Sequence, residues 1–396
     1  MNIISKIDEL SKKIERKTIN IRRELHQYPE LAFQEKKTAN IISKELNKIG
    51  IKVYSNYAGS TTVIGVIEGA DPGPTRVIRA AIDGFSINEE TNLTYISKEK
   101  GCMHATGHDG LAAINLGVAN TLSKMKDHLK GKVVFLFQPA EEGGGGAKYL
   151  LDRGLINDFD IDMFFGYHIS HDLPLGVFGL KEGVLTSQSD RVLLEIIGKG
   201  AHAAKPEIAI DPVVISAHLI LAYQEIISRE ISPFDFATIS FGEVRSGSTY
   251  NAIPETAQLK GSIRTYDPEI QDYIEKRMKE IFKGIINTFR ASGNIDYYRF
   301  YPSVVNNEKL TTRVRDLTKD ILDQKKIRLL NKPSRIAEDF AFYCKEKPSC
   351  FTFIGNGGDY DVHSSHFVVN ESIFLDSVRL FSYLLLKTNE DFQDFS

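Results

Sequence analysis

Between residues 186 and 300 the hydrophobic pattern of this chain changes its order, and the change restricts what the whole can fold into. An extended run at 190–198 is followed by a helical pattern at 211–229 and extended runs at 236–245 and 256–265. A helical pattern at 268–291 and an extended run at 294–300 complete the segment. The order of these runs reads β-α-β-β-α-β. This is the ferredoxin-like arrangement, and about 110 residues suit one small domain.

On either side of that segment the chain reads differently. Helical signals cover 5–28 and 35–49, and extended runs bounded by Gly, Pro, Asn or Asp follow at 51–56, 61–68 and 75–82. "GLAAINLGVANTLSKMK" is an apolar-faced helix, "KVVFLFQPA" an apolar run of buried-strand type, "GAKYLLDRG" a short helix stopped by Gly154, and "IDMFFGYHI" another strand. After 301 come a helix near 308–324, the strand "SCFTFIG" and a terminal helix at 371–388. Strand and helix alternating at this pitch argue an α/β sheet with helices on both faces. A chain of 396 residues also exceeds what one core usually supports. The expectation is a discontinuous α/β domain with a mixed sheet over 1–185 plus 301–396, interrupted by a small ferredoxin-like domain over 186–300.

Composition narrows the classes. Hydrophobic residues at 42% and charged residues at 26% are ordinary for a soluble globular protein. A net charge of −3 predicts no pull toward nucleic acid or anionic membrane. The richest apolar runs fall far short of the ~20 residues a spanning helix needs. The N-terminus spaces Ile3, Ile7, Leu10 and Ile14 as an amphipathic surface helix and lacks the apolar core of a signal peptide. Three cysteines are too few for a disulfide framework. A cytoplasmic protein without nucleic-acid or membrane partners is expected.

Catalytic groups in open α/β sheets gather in loops beyond the carboxyl ends of the strands. Asp83 ends the strand "TRVIRAAID". The stretch "GCMHATGHDG" places Cys102, His104, Thr106, His108 and Asp109 in a loop entering a helix. Glu141 and Glu142 follow "KVVFLFQPA", His168 follows "IDMFFGY", and "DVHSSHF" supplies His363 and His366 before the last helix. Imidazoles and carboxylates converging at one sheet edge are what a Zn²⁺ or Mn²⁺ site needs. Adjacent carboxylates at a strand end point different ways, so one can bind metal while the other takes a proton from water. An isolated Glu pair is usually a solvated turn, but this one ends an apolar strand and precedes four glycines, which favours function. A lone His168 after a strand is more often structural than a ligand, and the i,i+4 pair His104 and His108 could equally cap the helix. His26 and His128 read as structural or surface residues. "EEGGGGAK" lacks the G-K-[ST] end of a phosphate loop.

The conjunction of these segments resembles the aminoacylase/carboxypeptidase group of metal-dependent amidohydrolases, which includes hippurate hydrolase and the indoleacetyl-amino-acid hydrolases. The resemblance runs in order through "RRELHQYPELAFQE", "HATGHDG", "FQPAEEGGGGA", "GYHI", "GKGAHAAKP", "NAIPE", "GSIRTYD", "AEDFAFY" and "VHSSHF". It implies a catalytic domain holding one or two divalent ions through His108, Glu142, His168 and His363, with Glu141 as general base. It implies that the inserted domain is a lid and dimerisation surface, giving a homodimer or higher homo-oligomer. His202 of that domain would then steady the substrate oxyanion. Asn251 and Arg264 would help bind a substrate carboxylate, a task that suits a bidentate guanidinium.

The chain departs from the family pattern at the metals. The family reads H-A-C-G-H-D-x-H with the Cys a ligand, where this chain has Thr106 and, at the last position, Leu111; R-A-D-x-D becomes "RAAID", with Ala81 at the first Asp. A threonine hydroxyl is a poorer ligand than a thiolate. Occupancy could fall to one ion, a harder ion such as Mn²⁺ could tolerate Thr106, or Cys102 and His104 could swing in; Thr106, His104, Asp109 and Asp83 are otherwise candidates either to bind the metal or to support the residues that do. The expected reaction is hydrolysis of the amide bond in N-acyl amino acids or short peptides. The alternatives are attack on another C–N bond, as in a deamination, and a binding protein that has lost the chemistry.

Overall fold

Four parallel strands, each buried along most of its length, form the centre of an eight-stranded sheet. The structure, a computed structural model, describes residues 2–388. The strand order is Lys52–Tyr57, Thr62–Glu68, Lys130–Gln138, Asp71–Ala81, Met163–Ser170, Ser349–Gly355, Phe178–Leu180, Ile327–Leu329. Asp71–Ala81 pairs in parallel with both Lys130–Gln138 and Met163–Ser170, and the latter pairs in parallel with Ser349–Gly355. Antiparallel partners flank this centre, so the sheet is mixed. Every residue of Ser349–Gly355 is buried, as suits a strand covered on both faces.

This topology decides where the chemistry can lie. Because the four central strands run the same way, Ala81, Gln138, Ser170 and Gly355 all end at one edge. Ala81 pairs directly with Gln138, and Phe353 with His168. Loops that leave this edge therefore meet whatever their separation in sequence.

Helices cover the faces. Ile3–His26 buries Ile7, Ile14, Ile21 and Leu25 on one stripe. His108–Ser123 is buried all round except at its last residue, the signature of a central helix rather than a surface one. Phe374–Lys387 stacks Phe381 on Tyr167 with ring centroids 4.3 Å apart. The apolar residues of these helices and of the sheet form one continuous core.

The chain divides into two compact units. Met1–Leu185, Val304–Lys332 and Asp339–Ser396 make the first, and Thr186–Ser303 with Pro333–Glu338 the second. The second has its own four-stranded antiparallel sheet in the order Ala237–Ser246, Thr256–Thr265, Gln188–Ile197, Ser292–Tyr301. With helices Pro212–Glu225 and Pro268–Thr288, this is the ferredoxin-like order. Both helices start on an aspartate N-cap followed by proline: Asp211 accepts from Val213 N–H and Asp267 from Glu269 N–H. Val192, Leu194, Leu219, Ile263 and Met278 are among the residues of a separate core. Pro333–Glu338 is fastened to this unit by Tyr266 Oη–H donating to Pro333 O at 3.0 Å and Ser187 N–H donating to Ile336 O at 3.0 Å. No periodic pattern marks that segment in the sequence.

Among the described residues, no helix is long and apolar enough to cross a membrane.

Candidate metal centre

The site lies in the first unit, at the edge where the parallel strands end. His108 is the first residue of the central helix, after Gly107 in a left-handed conformation. Its ring is wholly buried, with Nδ1 3.0 Å from Asp83 O and 3.2 Å from an Asp83 carboxylate oxygen. Nδ1–H therefore donates, which leaves Nε2 as the nitrogen through which the ring would bind an ion once it gives up its proton. That atom is buried and has no hydrogen-bond partner among the described residues. It faces Glu141, whose Oε2 is 3.8 Å away.

Glu142 completes the cluster. Ligand atoms of His108, Glu141 and Glu142 lie within 4.8 Å of one another. Glu142 N–H donates to Asp83 Oδ2 at 2.8 Å, its Oε1 accepts from the Thr106 hydroxyl, and His363 Nε2 stands 3.5 Å from the same oxygen. His168 enters from the end of Met163–Ser170, its ring edge-on to His108 with centroids 5.7 Å apart. Its Nδ1 donates to Ile169 O at 2.8 Å, which selects the same tautomer as in His108. His363 comes from the late loop in a left-handed conformation (φ 68°), stacks on Phe85 at 4.2 Å, and is tied to the loop that carries His104 and Thr106 by its N–H donating to Ala105 O at 2.9 Å. Its side chain is 49% exposed, so the cluster has one open side.

The electrostatics are those of a cation site. Burial lowers the affinity of His108 for a proton, but Asp83 and Glu142 outweigh it and raise its pKa to about 9. Burial also opposes ionisation of Glu142, yet His363, His108 and Thr106 hold its carboxyl down to about 2. Three carboxylates around one buried imidazole form an excess of negative charge that a divalent ion would satisfy. The residues fit such an ion: an orphaned buried Nε2, carboxylate oxygens beside it, and the carbonyls of Asp83 and Ile169 fixing the two ring orientations.

The remaining sequence candidates are placed elsewhere. Asp109 points away from the cluster into a buried ion pair with Arg22 Nε at 2.8 Å and a bond with His26 Nδ1 at 2.8 Å. Burial resists its charge, but Arg22 and His26 hold its carboxyl well below the usual range. His26 is thus a buried structural residue; His128 lies in an exposed 3₁₀ turn. His104 is buried beside His26, and burial lowers its pKa to about 4. Cys102 is buried too, its thiol pushed up to about 12 by burial, with Glu99, Glu30 and Asp83 adding to it. Among the described residues, neither Cys102 nor His104 joins the ligand cluster.

In the second unit, His202 lies on Ala201–His202, which pairs with Ala252–Ile253 and so stands beside Asn251. The His202 ring is exposed and its Nδ1 accepts from Ala204 N–H at 3.0 Å. Asn251 is exposed and accepts from the Thr249 hydroxyl at 2.8 Å. Arg264 lies on Thr256–Thr265, its guanidinium donating to the hydroxyls of Ser189 and Ser262 and to Ile263 O.

Two buried networks beneath the cluster were not read from the sequence. Arg79 donates to Gln138 Oε1 at 2.9 Å and pairs with Asp339, while Asp339 also accepts from Gln138 and from Ala147 N–H at 2.8 Å. Glu35 accepts from the N–H groups of Phe33 and Ala140, each at 3.0 Å, and from the Thr61 hydroxyl. Burial pushes its carboxyl up to about 7. Ala140, which precedes the carboxylate pair, has φ 59°, a left-handed conformation that costs an L residue roughly 1–2 kcal/mol. Glu35 lies in "ELAFQE" and Asp339 in "AEDFAFY", but burial of a charged residue leaves no periodic trace.

Residues 77–387 match the model of peptidase family M20/M25/M40. The chain is 39% identical over 376 residues to an N-acetyl-L-cysteine deacetylase of Bacillus subtilis, covering 95% of this chain and 88% of that protein. It is 34% identical to the hippurate hydrolase of Campylobacter jejuni, covering 98% and 99%. Among solved structures it superposes on a dinuclear metal binding peptidase of family M20 from Bacillus subtilis with a TM-score of 0.82 at 32% identity, covering 96% of this chain and 99% of that one. The chain belongs to peptidase family M20/M25/M40 and is a hydrolase of that family.

Proposed function

We propose that this enzyme hydrolyses the amide bond of N-acyl amino acids or short peptides at the His108–Glu141–Glu142 cluster. The observation that carries this reading is the convergence of a buried, unpartnered His108 Nε2 with two carboxylates at an open sheet edge. The names of the Bacillus and Campylobacter relatives, a deacetylase of an acylated amino acid and a hippurate hydrolase, point to the same substrate class.

In this reading His108, Glu142, His168 and His363 hold one or two divalent ions. When bound, such an ion polarises the substrate carbonyl and makes water acidic enough to attack near neutral pH. Glu141 takes the proton from the attacking water as the carbon–oxygen bond forms, and delivers it to the amine nitrogen as the carbon–nitrogen bond breaks. Asp83 holds the His108 ring through Nδ1 and the Glu142 backbone through its N–H. Thr106 and His363 fix one oxygen of Glu142. The donors are nitrogen and oxygen without sulfur, a set that suits Mn²⁺ as well as Zn²⁺.

The test is release of free amino acid from a panel of N-acyl amino acids by protein supplied with Mn²⁺, Zn²⁺ or Co²⁺. At least one substrate should turn over, and Glu141→Gln should lower kcat by about 10²-fold or more with the fold unchanged by circular dichroism. A fully active Glu141→Gln variant would remove the general-base assignment. An inactive wild type that binds no ion would favour a non-hydrolytic binding role.

A further inference from the structure

Glu35 takes no part in the cluster, yet one of its carboxylate oxygens reaches the backbone that displays it. Glu35 is wholly buried, and its three hydrogen bonds join segments far apart in sequence: Phe33, Thr61 and Ala140. Ala140 is the residue immediately before Glu141, and it is held in the left-handed region at φ 59°. Its carbonyl accepts from Gly146 N–H at 3.1 Å, closing the glycine turn back on itself. Its N–H is bound by Glu35 alone among the described contacts, at 3.0 Å. One side of the strained residue is therefore held by its own loop and the other by a carboxylate 105 residues away. A non-glycine residue stays in that region only where its surroundings over-determine it.

We propose that Glu35 is a positioning residue: by binding Ala140 N–H it holds the strand exit in the left-handed turn that aims Glu141 and Glu142 at His108. The proposal rests on the reading of Glu141 and Glu142 given above. Without the acceptor, Ala140 relaxes toward negative φ and the two following carboxylates leave the strand in other directions. Distance from the reacting atoms does not diminish such an effect, since groups that orient metal ligands commonly control affinity or activity by 10–100-fold.

The experiment compares Glu35→Ala, Glu35→Gln, the double variant Glu35→Ala/Ala140→Gly, and Glu141→Gln. Co²⁺ affinity and the visible absorption of bound Co²⁺ are read alongside kcat and KM for an N-acyl amino acid. Glu35→Ala should bind Co²⁺ about tenfold or more weakly, shift the Co²⁺ spectrum, and lose kcat by a similar factor with KM within about twofold. Glu35→Gln keeps an oxygen for Ala140 N–H and should remain within about threefold of wild type on each measure. Glycine adopts the left-handed region without strain, so the double variant should recover part of what Glu35→Ala loses. If Glu35→Ala does not fold, Glu35→Met, which fills a similar volume without an acceptor, replaces it in the same comparison. Wild-type Co²⁺ affinity and spectrum in a folded Glu35→Ala or Glu35→Met would overturn the proposal, as would a Gln variant as impaired as either, or no recovery in the double variant. Undiminished turnover by Glu141→Gln would instead count against the functional reading, leaving the Co²⁺ measurements on Glu35 intact.

Discussion

Glu35 ties a stability measurement to the geometry beneath the cluster. Its carboxyl ionises near 4.5 in an unfolded chain and at about 7 in the fold, so the folded state holds the proton more tightly. The stability this contributes is fully present below pH 4.5 and is lost as pH rises through 7. Glutamine cannot ionise. Relative to wild type, Glu35→Gln should therefore gain stability between pH 4.5 and pH 8, by up to about 3 kcal/mol, in urea unfolding of chelator-treated protein. A difference that does not vary with pH would contradict the buried, proton-retaining environment. The convergence of the candidate residues was legible where chemistry and position coincide: Glu141, Glu142 and His363 lie in loops after central strands, His168 near the end of one, and His108 at the start of a helix, and the fold brings them to one edge. Glu35, Asp339 and the Asp109–Arg22–His26 cluster were not, because a buried charge is satisfied by partners tens to hundreds of residues away that no local pattern reveals.

At the scale of elements, the helix that begins at His108 depends on the glycine before it. Gly107 has φ 81°, and a Cβ there would come within 2.8 Å of Ile169 Cδ1 and 3.0 Å of Val369 Cγ2. Gly107→Ala thus combines left-handed strain with overpacking, and should cost about 2–4 kcal/mol of stability in urea unfolding. It should also weaken ion binding, because His108 is the next residue. A variant as stable as wild type would show that the helix start can shift without cost. Strands and long helices were readable from continuous apolar runs and from the 3.6-residue period, as in the fully buried strand Ser349–Gly355 and the striped helix Ile3–His26. Phe178–Leu180, Gly183–Val184 and Ile327–Leu329 were not, since runs of two or three residues carry no period. The terminal helix, expected from 371, begins as a 3₁₀ turn at Glu371–Ile373 and becomes α-helical at Phe374.

For the whole molecule, the informative signal was the break in pattern near residue 186. It exposed a second sheet with its own core because a β-α-β-β-α-β order cannot continue a parallel sheet. What it could not expose was the return of Pro333–Glu338 to the second unit, which rests on hydrogen bonds to the carbonyls of that segment rather than on hydrophobic periodicity. The central proposal concerns the first unit: His108, Glu142, His168 and His363 would be ligands of a divalent ion beside Glu141. Anomalous diffraction from crystals of Mn²⁺-loaded protein tests it most directly. The expected result is a Mn²⁺ peak within coordination distance of His108 Nε2 and a Glu142 oxygen, lost in a His108→Ala/Glu142→Ala variant. A Mn²⁺-saturated crystal with no peak at that cluster, or with its only peaks elsewhere, would contradict it.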